Sequence, residues 1–205
     1  MALAGRAFRD RPRWLGRETT LRALCYATSV KGKRSQSLAT VDIAIRRSVA
    51  DDAAALARLH ADAWRYAYRG IIPGLVLERM VARRGPGWWR RMHGVGGATA
   101  ILEFGKTAAG YATYGRSRFA RLGAEGEIYE LYLGPEYHGA GLGRQLFRSA
   151  RDELRAGGLR GLVVRSLAEN EGACRFYRAM GGREFARSSE RLGGARLAIV
   201  AFHWR

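Results

Sequence analysis

Between Ile43 and His203 the apolar positions change period several times, and each change marks an element. Ile43 and Ile45 alternate with polar neighbours and predict a first strand. From Asp51 or Asp52 onward, Leu56, Leu59, His60, Ala63, Trp64 and Ala67 recur at helical spacing, predicting a helix that ends near Gly70. Ile71-Ile72-Pro73-Gly74 makes a rigid exit, and Leu75 to Val81 predicts a short second helix. Trp88 and Trp89 follow Gly85-Pro86-Gly87, which reads as a turn that the two indoles pack onto a sheet. Thr99 to Phe104 and Ala108 to Tyr114 flank Gly105-Lys106 and predict a hairpin, followed by a basic loop from Gly115 to Gly126. Glu127 to Leu133 is rich in β-branched, aromatic and leucine side chains and predicts a strand, closed by Gly134-Pro135. Leu142, Leu146, Phe147, Ala150 and Leu154 return to helical spacing through Arg155. Leu162 to Leu167 is a short apolar run holding one arginine, and reads as a buried strand. Asn170 can cap a helix whose Ala173, Phe176, Tyr177 and Met180 share a face, with Gly181 or Gly182 as its stop. Arg196 to His203 predicts a final apolar strand, and no segment repeats another.

Strands interleaved with helices make the fold class α/β, in the broad sense that includes α+β. Between the strand ending at Leu133 and the helix beginning near Leu142 lies His138-Gly139-Ala140-Gly141-Leu142-Gly143. A strand, a glycine-rich turn and a helix bring bare backbone N–H groups to a helix N-terminus, an arrangement that holds phosphate. The turn is not a nucleoside-triphosphate loop, because Arg144 and Gln145 stand where Lys and Ser or Thr are needed. Nor does it carry the dinucleotide fingerprint, because its last two glycines are one residue too close together.

The turn resembles the Gln/Arg-x-x-Gly-x-Gly/Ala loop of GNAT-type (GCN5-related) N-acetyltransferases, with His138 where that pattern has Gln or Arg. Asn170-x-x-Ala173-x-x-Phe176-Tyr177, closed by Gly181-Gly182, is similar to the last block of the same superfamily. Trp64-x-x-x-Tyr68-x-Gly70-Ile71-Ile72-Pro73 looks like the opening helix and loop of one branch, whose place is beside the acceptor. The resemblance runs from Ile43 to Arg205. It implies a mixed, mostly antiparallel central sheet flanked by helices and splayed where acetyl-CoA enters. It also implies acetyl transfer from acetyl-CoA to a primary amine, made directly in a ternary complex.

The same resemblance distributes the roles. Tyr177 stands where the superfamily takes the acid that protonates the departing thiolate, although its place on the apolar face also suits a core residue. His138, Gly139, Ala140, Gly141, Leu142, Gly143 and Arg144 would hold the pyrophosphate. Leu131, Tyr132 and Leu133 would pair with the pantetheine as a further strand, and Asn170 would contact the pantetheine or adenosine side. The base candidates are Glu127 and Glu130. Glu127 is preferred because its place eleven residues before His138 resembles that of the base in the histone-acetylating branch. Pairing with an arginine is its bland alternative, and bound water serves many relatives instead. Strand alternation sets Glu127, Tyr129 and Leu131 on one face and Ile128, Glu130 and Tyr132 on the other, so only one glutamate would face the acceptor, barring a bulge. No metal is expected.

Composition narrows the alternatives. A chain of 205 residues with 47% apolar content suits one globular domain. The net charge of +18 raises nucleic acid as a partner, but the charge is spread along the chain rather than gathered in one run. Cys25 and Cys174 are too far apart for a metal motif and argue against a disulfide, and no apolar run approaches a membrane span. A cytoplasmic enzyme is expected, with a small-molecule or peptide amine as acceptor and a homodimer as one arrangement left open. Rival readings are acetylation of a protein N-terminus or lysine, a CoA-binding module without catalysis, and a basic nucleic-acid binder. Residues 1–40 hold nine Lys or Arg against Asp10 and Glu18, with no sustained periodicity. A presequence, a disordered arm and sequence upstream of the true start compete there; the preferred reading is a disordered extension, with the acetyltransferase domain over 43–205.

Overall fold

The structure is a computed structural model that describes residues 21–22, 41–119, 123–192 and 194–205. Its elements in chain order are β1 (Leu21–Arg22), β2 (Ile43–Arg47), α1 (Ala53–Tyr68), α2 (Gly74–Ala82), α3 (Pro86–Met92), β3 (Ala98–Phe104), β4 (Thr107–Arg116), β5 (Gly126–Leu133), α4 (Leu142–Ala156), β6 (Leu162–Leu167), α5 (Glu171–Ala179), β7 (Arg183–Leu192) and β8 (Ala195–Trp204). One sheet joins the strands in the order β1-β2-β3-β4-β5-β6-β8-β7. Only β5 and β6 run parallel, as expected for the pair connected through a helix. Most of the N-terminal extension lies outside the described residues; within it, Leu21 and Arg22 pair antiparallel with Ile45 and Ala44.

Helices cover both faces. On one side, Leu142, Leu146, Phe147, Ala150 and Leu154 of α4 bury against Ala100, Ala112 and Tyr114 of the hairpin and against Val164 and Phe202. Each of the larger side chains contributes roughly 1.5–3 kcal/mol of burial. On the other side, Leu56 and Leu59 of α1 pack with Trp89, Ile101 and Tyr111, while Trp64 meets Leu77, Val81 and Ile199. The Pro86 segment is itself a helix rather than a turn. Proline stands at its first position, where the missing N–H costs nothing, and Trp89 is buried against α1. β7 was not foreseen: most of its positions are exposed and it carries Arg183, Glu184, Arg187, Glu190 and Arg191. It forms because β8, apolar and buried on its other flank, offers a full edge to pair with.

Two irregularities in β5 open the sheet on one side. Thr113 of β4 pairs with Glu130, but Tyr114 pairs with Ile128, so Tyr129 is an extra residue bulged out of the ladder. On its other side, β5 pairs with β6 only at Gly126–Leu162, Glu127–Val163 and Ile128–Val164. Beyond Ile128 the two strands part, β5 continuing along β4 and β6 continuing along β8. The sheet therefore forks, and both inner edges of the fork are open.

Candidate active site

A cleft of about 460 Å³ occupies the fork on the α1 side, with Leu131, Tyr132, Leu167, Asn170 and Tyr177 on its wall. Past the end of β5 the Gly139–Gly143 turn leads into α4, and a Cβ at Gly143 would meet Leu133 and Phe176 at 3.5 Å. Gly139 and Gly141 have φ of 82° and 76°, left-handed values that favour glycine, and a Cβ at either would meet no neighbouring atom. The demand for glycine there is thus conformational and not steric. Among the described residues, none of the backbone N–H groups from Gly139 to Gly143 donates to the protein; the first helical bonds start at Arg144 and Gln145, both to the Gly141 carbonyl. Five unspent donors on a turn at a helix N-terminus fit a phosphate group. His138 is exposed and turned from that turn: its Nε2 lies 3.4 Å from the Leu133 carbonyl and its ring meets Tyr66 edge-on at 5.0 Å. Arg144 is exposed on the first turn of α4.

Asn170 caps α5, its Oδ1 accepting from the Ala173 N–H at 3.1 Å. That bond orients α5 so that Tyr177 reaches the cleft wall while its ring packs against Phe202 at 5.6 Å and Trp204 at 6.2 Å. Tyr177 thus lines the cleft and packs in the core at once. Its hydroxyl has no hydrogen-bond partner among the described residues. Burial pushes its pKa upward, so the phenol keeps its proton at neutral pH. Across the cleft, the Tyr68 and Tyr132 hydroxyls share a 2.5 Å hydrogen bond, and burial pushes Tyr68 up to about 12.

The bulge changes the expected facing of the glutamates. Ile128, Leu131 and Leu133 all pack toward α4, so the alternation skips one residue at Tyr129. Glu127 and Glu130 consequently share the α1 face, rather than opposite faces as strict alternation requires. Their surroundings differ. Glu127 does not line the cleft, and its side chain is only 1% exposed. It accepts from the Arg118 backbone N–H at 2.9 Å, from Arg118 Nε at 3.1 Å and from Nη2 at 2.6 Å. Glu130 does line the cleft, paired with Arg84 and accepting from the Tyr111 hydroxyl at 3.1 Å. Burial would raise its pKa, but the Arg84 guanidinium and the Tyr111 hydrogen bond outweigh that and hold the carboxyl below the ordinary glutamate range.

Behind Glu130 stands a buried relay absent from the sequence expectations. Tyr111 donates to the carboxylate, so its oxygen accepts from His60 Nδ1, 2.8 Å away. His60 is fully buried beside Trp64 and Trp89, and burial lowers its pKa to about 4. The unfolded value is near 6.5, so the neutral ring favours the fold above that pH. Stability from this residue is lost as pH falls from about 6.5 toward 4, by about 3 kcal/mol in all. Urea midpoints measured between pH 7 and pH 4 are expected to fall for the wild type and to fall less for His60→Phe; parallel slopes would mean the imidazole ionises freely. Arg84, Arg118 and Arg165 of the cleft wall, and Tyr111 behind Glu130, were not among the expected site residues, whereas Tyr68 lies in the run expected beside the acceptor. Tyr111 was findable, since hairpin alternation places it opposite the α4-facing Ala112; the lone arginine at 165 in an apolar strand was an equally plain signal.

Three comparisons bear on this arrangement. The profile of the Acetyltransferase (GNAT) family matches residues 56–181. A Bacillus subtilis (strain 168) protein described as the uncharacterized N-acetyltransferase YuaI is 28% identical over 162 residues, covering 79% of this chain and 92% of its own. Among solved structures, the PaiA N-acetyltransferase of Thermoplasma acidophilum in complex with coenzyme A superposes with a TM-score of 0.61 at 17% identity, over 78% of this chain and 98% of that one. YncA of Salmonella typhimurium, solved with its cofactor acetyl-CoA, gives 0.58 at 21% identity, over 80% and 93%.

Proposed function

The chain belongs to the GNAT acetyltransferase family, and from that premise we propose that it transfers acetyl from acetyl-CoA directly to a primary amine held in the same cleft. The observation that carries this reading is the fork: an open β5 edge at Leu131–Leu133, Tyr177 on the cleft wall, and unspent N–H groups from Gly139 to Gly143 in the turn that follows β5. Acetyl-CoA, the acyl-donor substrate, supplies the activated acetyl group. PaiA and YncA, which share the fold, were solved with CoA and acetyl-CoA, and the same cleft is assigned to the donor here.

The residues then divide the work. The glycine turn holds the pyrophosphate through its backbone, and the Leu131–Leu133 edge hydrogen-bonds the pantetheine amides as a neighbouring strand does. Glu130 faces the incoming ammonium. Its depressed pKa makes it a poor base, so it holds the cation and a water molecule that takes the first proton. The free amine then forms its C–N bond as the thioester C–S bond breaks. Tyr177 gives its proton to the departing sulfur and is restored by the second proton from nitrogen, leaving one proton released per turnover.

A thiol-release assay with acetyl-CoA against a panel of amines and peptides tests the reading. Acceptor-dependent CoA release supports it, whereas failure to bind CoA by calorimetry would sink it. A second expectation concerns the loop. Because His138 points to Tyr66 and the Leu133 carbonyl, His138→Arg should leave the ratio of CoA affinities at pH 6 and pH 8 unchanged. A steeper dependence in the wild type would put the imidazole on the phosphates.

A further inference from the structure

The cleft wall is electrically lopsided. Arg84, Arg118 and Arg165 line it, against the single carboxylate of Glu130. Each arginine has an acidic partner: Glu130 for Arg84, the buried Glu127 for Arg118, and Glu190 of β7 for Arg165. Among the described residues lining the cleft, guanidinium thus outnumbers carboxylate three to one.

Arg165 is the first β6 residue past the last β5–β6 pair, level with the bulged Tyr129 across the fork. Its side chain is 12% exposed and lies over the Phe119 ring at 4.2 Å. Only Nη2 is spent, on Glu190; Nε and Nη1 have no hydrogen-bond partner among the described residues. Arg84, clamped between the Trp64 and Trp88 rings at 5.2 and 4.8 Å, likewise spends only Nη1, on Glu130. Two rigidly held guanidiniums with unspent N–H groups on an aromatic wall form a receptor for a planar anion, because such donors reward a carboxylate and repel a second cation.

Resting on the acetyltransferase reading, we propose that the acceptor is a primary amine that also carries a carboxylate and an apolar body, with Arg165 as its specificity-determining contact. The ammonium end faces Glu130, and the carboxylate takes the unspent Arg165 donors at the mouth of the fork. A polyamine is disfavoured by the same arrangement, since its second cation would meet three guanidiniums.

Matched pairs of acceptors test this: L-phenylalanine with 2-phenylethylamine, L-leucine with 3-methylbutylamine, 5-aminopentanoate with butylamine, and spermidine as the cationic control. Both kcat/KM for CoA release and binding to CoA-saturated protein by calorimetry are read. At least one carboxylated member is expected to exceed its partner by about tenfold or more, the scale of a charge-assisted hydrogen bond. Arg165→Met should erase that preference while changing the decarboxylated amines by no more than about twofold. Arg165→Met/Glu190→Gln, which leaves Glu190 no unpaired carboxylate, separates loss of recognition from loss of folding.

Equal or better use of the decarboxylated amines or spermidine overturns the proposal and leaves the acetyltransferase reading standing. Arg165-dependent binding of a carboxylated amine without CoA release upholds the recognition site and sinks the acetyl-transfer reading. No binding of any carboxylated amine refutes the proposal whatever the turnover.

Discussion

Tyr177→Phe is expected to lower kcat by about 10²-fold or more while leaving CoA affinity within about twofold, the scale of losing a general acid. Phenylalanine keeps the ring contacts with Phe147, Phe202 and Trp204 that anchor this side chain. The hydroxyl has no protein partner among the described residues, so its removal strands no buried donor or acceptor. The melting temperature should therefore hold while turnover collapses. Acetyl-CoA hydrolysis and thiol release measured beside a thermal melt separate the two. A variant with wild-type kcat would make Tyr177 a core residue that happens to touch the cleft.

Glu130→Gln is expected to cut kcat/KM by roughly 10²-fold as the ammonium contact is lost. It should also destabilise the protein, because Arg84 would remain buried between two indoles without its counter-charge; breaking such a pair costs about 3–5 kcal/mol. The two effects come apart in Glu130→Gln/Arg84→Met. Removing both charges should restore most of the melting temperature and none of the rate. If the double variant regains turnover, Glu130 serves only to neutralise Arg84. Glu127→Gln makes the contrast, since that carboxylate is closed off by Arg118 and its loss should appear in stability before it appears in rate.

Much of this architecture was legible because local periodicity and tertiary burial agree. The α4 stripe from Leu142 to Leu154 faces the sheet, the Asn170 cap forms, and Leu142 and Tyr177 of the two glycine-bearing segments share one core cluster. What escaped had a physical reason in each case. β7 carries too many charges to signal a strand, and its pairing is supplied by β8 from outside its own sequence. The bulge at Tyr129 leaves no mark in a pattern of alternation, since one extra residue in a ladder is defined by the partner strand. Its consequence, both glutamates on one face, could not be read from β5 alone. Arg84 escaped because it follows α2 in a segment without periodicity; only the packing of α1 against α3 brings Trp64 and Trp88 to its two sides.

The short β5–β6 seam also governs how the molecule yields. Three residue pairs carry all the strand pairing between the β1–β5 half of the sheet and the β6–β8 half. A sheet stitched over so short a length bends most readily along that line, so partial opening should begin there and leave the long hairpins intact. α4 lies across the same line, with Leu146 and Phe147 in one cluster with Ala112 from one half and Val164 and Phe202 from the other. The helix works as a leaf spring spanning a hinge: the short seam of the sheet runs beside the cleft proposed for the donor, and α4 braces it from the opposite face.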